Sequence, residues 1–185
     1  MIKLKEILNE ITNALPPPPI VQQSTNNTQQ FSPDFIKYIK IVENGRGVGF
    51  DKKKNLWFPY NDSAGPNIGY GHRINNNQLK YYATNGVDQS KVDQLLINDL
   101  AIAKKRVYDY IQKTYKVNLL LTPKQEEMLT DFSYNLGGLE KFPKFTDAVL
   151  RNQWDIVKKE YIRKAAGKEL TGRNKAFYNR YLSKP

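Results

Sequence analysis

Between positions 43 and 72 the chain reads ENGRGVGFDKKKNLWFPYNDSAGPNIGYGH, and two of its carboxylates, Glu43 and Asp62, have the setting needed to cleave an acetal bond. Glu43 falls at the end of an amphipathic segment, where unpaired carbonyls and the negative end of the helix dipole oppose another negative charge. If apolar neighbours also remove water, its pKa rises. A carboxyl still protonated near neutrality can then protonate the leaving oxygen of a glycosidic bond. Asp62, in a polar turn of Asn, Ser and Gly, is suited to staying ionised, and so to activating water or stabilising a cationic sugar. The residues alone leave alternatives open. A lone Glu at a helix end is commonly just solvated, and Asp51, eight positions after Glu43, competes with Asp62 on spacing. Asp51 precedes three lysines and reads as a solvated hairpin tip, whereas Asp62 adjoins a turn and an IGYGH strand that fix its geometry.

Several elements must hold these groups. Ser32 as N-cap and Pro33 at the first helical position start a helix that presents Phe35, Ile39 and Val42 on one face and ends at Asn44 and Gly45. Residues 46–75 are rich in Gly, aromatics and turn formers, with strands expected near 47–51, 56–60 and 67–70. From Ser90 the spacing of Val92, Leu95, Leu96, Ala103, Val107 and Ile111 predicts a long helix of about 35 Å. Thr122, Pro123 and Gln125 form a capping box that opens another helix, with Met128, Leu129, Phe132 and Leu136 on its buried face and Gly137–Gly138 at its end. One or two helices are expected over 146–165, through Val149, Leu150, Trp154, Val157 and Tyr161, and a last basic helix over 172–182. Helix, small β lobe, long helix and helical lobe in that order place the fold in the α+β class.

Composition narrows the function further. The chain has 185 residues, with 29 Lys and Arg against 18 Asp and Glu, a balance of +11. Its 39% hydrophobic content is enough for a packed core, so the whole chain is not disordered. Cys is absent, which excludes disulfides, thiolate metal sites and a Cys nucleophile, and nothing in the pattern calls for a metal or cofactor. No run approaches the roughly 20 apolar residues of a transmembrane helix. Residues 1–30 are neutral, so the excess charge lies on 31–185, and residues 151–185 alone carry ten basic and three acidic side chains. Such a field concentrates an anionic polymer, whether nucleic acid, membrane surface or cell wall. Charge is the whole case for nucleic acid: no zinc-finger or RRM signature accompanies it, and nucleic acid is not expected as a partner.

Tyr60, Asp62, Gly65, Ile68, Gly69, Tyr70, Gly71 and His72 resemble the pattern Y-x-D-x-x-G-x-x-T-I-G-Y-G-H of phage-type lysozymes, glycoside hydrolase family 24. The likeness continues in LLINDLAIAKKRV, LTPKQEEMLTDFSYNLGG and LTGRNKAFYNRYL, each in the family's order. The resemblance implies a lysozyme-like fold and a muramidase that hydrolyses the bond between N-acetylmuramic acid and N-acetylglucosamine in peptidoglycan, by inversion. It implies Glu43 as acid, Asp62 as second carboxylate, and Asn67 where the family usually has the Thr that helps place the attacking water. Arg173 matches a basic residue that pairs with the catalytic Glu, while His72 and Asp99 match a structural ion pair. Tyr60, Trp57 and Asn135 are expected to bind substrate or support the site, although aromatic burial favours a core role for Trp57, Phe58 and Tyr60 taken singly.

There are departures from the pattern. Glu43 and Asp62 lie 19 positions apart, farther than in the family pattern, and the excess contains GVGFDKKKNLWFP, expected as a hairpin beside the cleft. The loop from Asp62 to Asn67 is one residue short. These keep open a lytic transglycosylase, which needs no second carboxylate, and a silent wall-binding or virion component.

The remaining expectations concern the ends of the chain and its setting. Residues 2–15 place Leu4, Ile7, Leu8, Ile11 and Leu15 on one helical face, followed by Pro16–Pro19 and a Gln/Asn-rich linker. Residues 1–30 read as a tethered helix and linker before a catalytic domain at 31–185. The helix is either a frayed terminus or a docking peptide for a second protein. Glu6 and Glu10 interrupt any signal-peptide core, so the expected location is the host cytoplasm until release to the wall, or the virion, and a monomer is expected.

Overall fold

The computed structural model describes residues 31–183, apart from 63, 64 and 166. The expected helix at 2–15 and its linker lie outside these residues. Helix α1 (Pro33–Asn44) starts as the sequence requires: Ser32 Oγ accepts from the Phe35 amide at 3.1 Å and Pro33 occupies the first turn. A β lobe follows, with hairpin β1 (Phe50–Asp51) and β2 (Leu56–Trp57) and the three-stranded antiparallel sheet β3 (Tyr60–Asp62), β4 (Gly65–Ile68) and β5 (His72–Arg73). Its register sets Tyr60 opposite Asn67, Asp62 opposite Gly65 and Ile68 opposite His72.

The remaining elements are mainly helical. They are α2 (Asn76–Asn85), α3 (Gln89–Tyr115), α4 (Pro123–Leu136), α5 (Pro143–Leu150), α6 (Trp154–Glu160), the small hairpin β6 (Lys164–Ala165) and β7 (Lys168–Glu169), and α7 (Thr171–Tyr181). At 27 residues α3 spans about 40 Å. It serves all three apolar clusters. Val92 and Leu95 pack with Trp57, Ile68 and Ile74 of the β lobe; Leu96 and Leu100 pack on Phe35 and Ile39 of α1; Val107, Tyr110 and Ile111 enter the helical core around Phe132, Phe145 and Phe177. The α4 capping box forms with both hydrogen bonds, and Gln125 does more than cap, because its Nε2 donates to the Val149 and Leu150 carbonyls at the end of α5.

Two expectations change. Residues 76–85, for which no element was expected, form α2. The helical expectation over 146–165 is also corrected: α5 begins at Pro143, α6 stops at Glu160, and the chain turns extended into β6. The reason is local. The Arg163 amide donates to Asn174 Oδ1 at 3.0 Å, and the Arg163 carbonyl accepts from Asn174 Nδ2 at 3.1 Å and the Leu170 amide at 2.9 Å. With its backbone groups satisfied from α7, residue 163 has none left for a continuing helix.

Candidate active site

Glu43 occupies the last turn of α1, and the residue after it fixes where that turn points. Asn44 is buried; its Nδ2 donates to the carbonyls of Val48 (2.9 Å) and Gly69 (2.7 Å), and its Oδ1 accepts from the Val48 amide. The helix end is thereby clamped to the β lobe. The Glu43 side chain is 7% exposed and meets Arg173 of α7 through both carboxylate oxygens, with Nη2 to Oε2 at 2.5 Å and Nη1 on Oε1. With its amide oxygen turned toward the guanidinium, Asn135 of α4 accepts from Arg173 Nη1 at 2.6 Å and Nε at 3.3 Å. Three helices therefore meet around the Glu43–Arg173 pair.

Burial raises the Glu43 pKa, as the helix-end argument anticipates in direction, and the Arg173 hydrogen bonds and charge offset only part of that rise. Arg173 responds in the opposite sense to its own burial: desolvation opposes its charge, but the bond and charge of Glu43 outweigh it and raise its pKa. The pair thus holds a carboxyl whose ionised form is penalised by its surroundings and rescued mainly by one fork of hydrogen bonds.

Tyr60 is the link to the second carboxylate. Its hydroxyl donates to the Gly69 carbonyl at 3.2 Å, and its pKa is raised by burial, then by the charge of Glu43, with Asp62 adding to the rise. Both carboxylates therefore act on one phenol. Asp62 itself is 50% exposed at the end of β3, where its Oδ1 accepts from the Gly65 amide at 3.1 Å and lies 3.3 Å from Arg73 Nη2. Asp51 is engaged elsewhere: its Oδ1 accepts the amides of Lys53 and Lys54 at 2.9 and 3.1 Å, tying off the hairpin tip. Each aspartate therefore caps a local turn, Asp62 in the β3–β4 turn and Asp51 at the hairpin tip.

Other expected site residues fall differently. Trp57 is 4% exposed, packs against Phe50 and Tyr70 at ring-centroid distances of 5.0 and 5.5 Å, and donates Nε1 to Gln89. Its faces pack in the β-lobe core, the role that aromatic burial favours for it, beside the sheet that carries Asp62. Asn67 is 1% exposed and donates its Nδ2 to the Gly65 carbonyl at 3.0 Å, so its amide straps the β3–β4 turn and does not face open solvent as a water ligand would. His72 Nδ1 lies 2.8 Å from Asp99 Oδ2, joining β5 to α3.

Sequence reasoning missed Tyr134, Asp131, Arg163 and Arg73. The Tyr134 hydroxyl donates to the Tyr70 carbonyl at 2.8 Å, and its pKa is pushed well up by burial first and by Glu43 and Asp99 next. Its position beside Asn135 in α4 was the available signal. Among the described residues no cluster of His, Asp and Glu has the make-up of a metal site, and no helix is long and apolar enough to cross a membrane.

Residues 57–176 match the Phage lysozyme family, and the chain belongs to that family. The matched stretch includes Asp62, Asn135 and Arg173 but starts at the last residue of the β1–β2 hairpin, after Glu43. The chain is also 29% identical over 132 residues to a peptidoglycan hydrolase, gp36, of Enterobacteria phage SP6. That alignment takes in 64% of this chain and 13% of the relative, so the likeness covers a small part of the longer protein.

Proposed function

We propose that the protein is a peptidoglycan hydrolase that cuts the β-1,4 bond between N-acetylmuramic acid and N-acetylglucosamine, with Glu43 as general acid and Asp62 as general base. The observation that carries this reading is the contrast between the carboxyls: Glu43 is almost covered and its proton affinity raised by burial, while Asp62 is half exposed beside Arg73 and coupled to the same tyrosine. One covered carboxyl and one solvated carboxyl are what glycosidic cleavage needs, one to give a proton and one to take it from water. Membership of the phage lysozyme family and the name of the SP6 relative support the substrate class.

The steps follow from the residues. Glu43, released from its fork with Arg173 as it takes up a proton, donates to the leaving glycosidic oxygen. Asp62 draws a proton from water attacking the anomeric carbon on the opposite face, in a single inverting displacement. Arg173, held in place by Asn135, then receives the ionised Glu43 back. Asn67 serves by holding the turn that presents Asp62.

Mass spectrometry of digested peptidoglycan tests the proposal. Reducing muramic ends are expected, and Glu43→Gln should lower their rate of formation by roughly 10²- to 10⁴-fold while wall binding persists. Anhydromuramic ends would replace hydrolysis with transglycosylation. Intact strands would leave a wall-binding protein, and an unimpaired Glu43→Gln would remove the acid from its role.

A further inference from the structure

We infer that Arg163 is a positioning residue for the site, one buried guanidinium that sets how Arg173, braced by Asn135, meets Glu43. This deepens the reading of Glu43 as the acid and rests on it. Arg163 has no solvent exposure, although it lies in a strongly basic stretch of sequence. Its Nη1 donates to Asp131 Oδ1 of α4 at 3.0 Å, and its Nη2 donates to the carbonyl of Arg173 itself at 3.1 Å. The second oxygen of Asp131 accepts from the Tyr38 hydroxyl of α1 at 2.9 Å. The guanidinium carbon lies over the rings of Phe132 and Phe177, 4.9 and 5.0 Å from their centroids, which fixes its plane.

These ties reach the three helices that converge on the Glu43–Arg173 pair, and they do so close to the residues that meet there. Tyr38 is five positions before Glu43 on α1, Asp131 is one turn before Asn135 on α4, and on α7 the acceptor is the backbone of Arg173. A stability role alone explains this poorly. A buried ion pair is commonly no more stabilising than apolar residues of the same volume, and here Arg163 Nε is buried with no hydrogen-bond partner. What the ionic knot supplies, and a leucine would not, is direction: hydrogen bonds of fixed geometry that set the rotation and depth of each helix. The charges also act on the acid, since Asp131 makes Glu43 easier to protonate and Arg163 makes it harder. The other charged or titratable groups facing Glu43 are Arg173 of α7, Tyr134 of α4 and Tyr60 of β3.

The test compares Arg163→Met, Asp131→Asn and Tyr38→Phe in the full chain. It uses two readouts, the pH profile of kcat and kcat/KM on peptidoglycan, and a carbon-13 NMR titration of the Glu43 carboxyl. A misplaced Arg173 should lower kcat by roughly 10- to 100-fold with KM little changed, since misplacement of about 1 Å costs about that much. The Glu43 midpoint should move in opposite directions: up in Arg163→Met, which loses a cation and loosens the fork, and down in Asp131→Asn, which loses an anion. The alkaline limb of the rate should follow it each time. Tyr38→Phe keeps both charges and serves as the mild variant that folds; it should lower kcat with the midpoint moved far less than in the charge variants. Folded variants whose Glu43 midpoint and kcat match the parent would overturn the inference, as would a downward midpoint shift in Arg163→Met. If the parent proves inactive on every glycan the muramidase reading fails, yet the NMR titration still decides whether Arg163 governs Glu43.

Discussion

Gly69 offers a sharp test of how the β lobe is fastened to the long helix, because its lack of a side chain is required twice. Its backbone is left-handed at φ +60°, and a Cβ placed there would lie 2.3 Å from Val92 Cγ1 and 3.2 Å from Cγ2. The Gly69 carbonyl meanwhile accepts from Asn44 and Tyr60, so the backbone cannot slide away without loosening the residues around Glu43. Gly69→Ala therefore meets a left-handed penalty of about 1–2 kcal/mol and an overpacking cost of about 1–3 kcal/mol. The sum is about 2–5 kcal/mol, and at about 2–4 °C per kcal/mol for a chain of this size the melting point should fall by about 4–20 °C.

A double-mutant cycle separates the two parts. Val92→Ala removes both clashing methyls at an expected cost of at least about 1.5 kcal/mol, near 0.8 kcal/mol for each group. In that background Gly69→Ala should cost only the left-handed portion, a coupling of about 1–3 kcal/mol measured by urea titration with unchanged m-values. Equal costs in both backgrounds would refute the steric argument. A cost under about 1 kcal/mol in the parent would refute the backbone argument with it.

Other expectations follow from the site. Asp62→Asn should lower hydrolysis roughly 10²- to 10⁴-fold with stability within about 0.5 kcal/mol of the parent, because Asp62 is half exposed and its pair with Arg73 is screened. Asp51→Asn should retain activity within about two-fold, since its contacts lie in the hairpin tip; the opposite ranking would exchange the two carboxylates. Because the folded state raises the Glu43 pKa above the ordinary glutamate value, its contribution to stability is fully present below the unfolded pKa and is lost as pH rises through the folded value. The melting point of Glu43→Gln minus that of the parent should thus climb from acid to neutral pH, and a difference that stays flat or falls would contradict the burial argument. Replacing Lys52, Lys53 and Lys54 with Gln should flatten the salt dependence of activity on cell walls while leaving activity on short neutral chitin oligomers unchanged; equal salt slopes in parent and variant would take the hairpin charge out of the account.

Legibility in the sequence tracked how local the determining interaction was. The caps of α1 and α4 are written in residues three apart, and both form. Glu43, Arg173 and the His72–Asp99 pair were reached through motifs, and the structure brings their side chains together. Helix α2 was not legible from apolar spacing because it buries no residue; its one signal was the Asn75–Gln78 capping box. Arg163 was hidden for a different reason. In a tail with a surplus of lysine and arginine it reads as another solvated charge, and only Asp131, 32 positions earlier, explains why it goes inside. Trp57 and Asn67 sit at motif-adjacent positions, but both side chains are buried, Trp57 in the β-lobe cluster with Val92 and Leu95 of α3 and Asn67 next to Ile68 of the same cluster, contacts distant in sequence.

The β1–β2 hairpin leaves and rejoins the main body at nearly one point, where the Phe58 amide donates to the Gly49 carbonyl at 2.7 Å. Trp57 and Val87 exchange both backbone bonds just beyond, so the root is anchored independently of the tip. Such a closed stem makes residues 52–54 a natural insertion port. A foreign peptide spliced there would be carried between the two carboxylate-bearing segments without stretching either, so added sequence at this single turn should leave the framework folded.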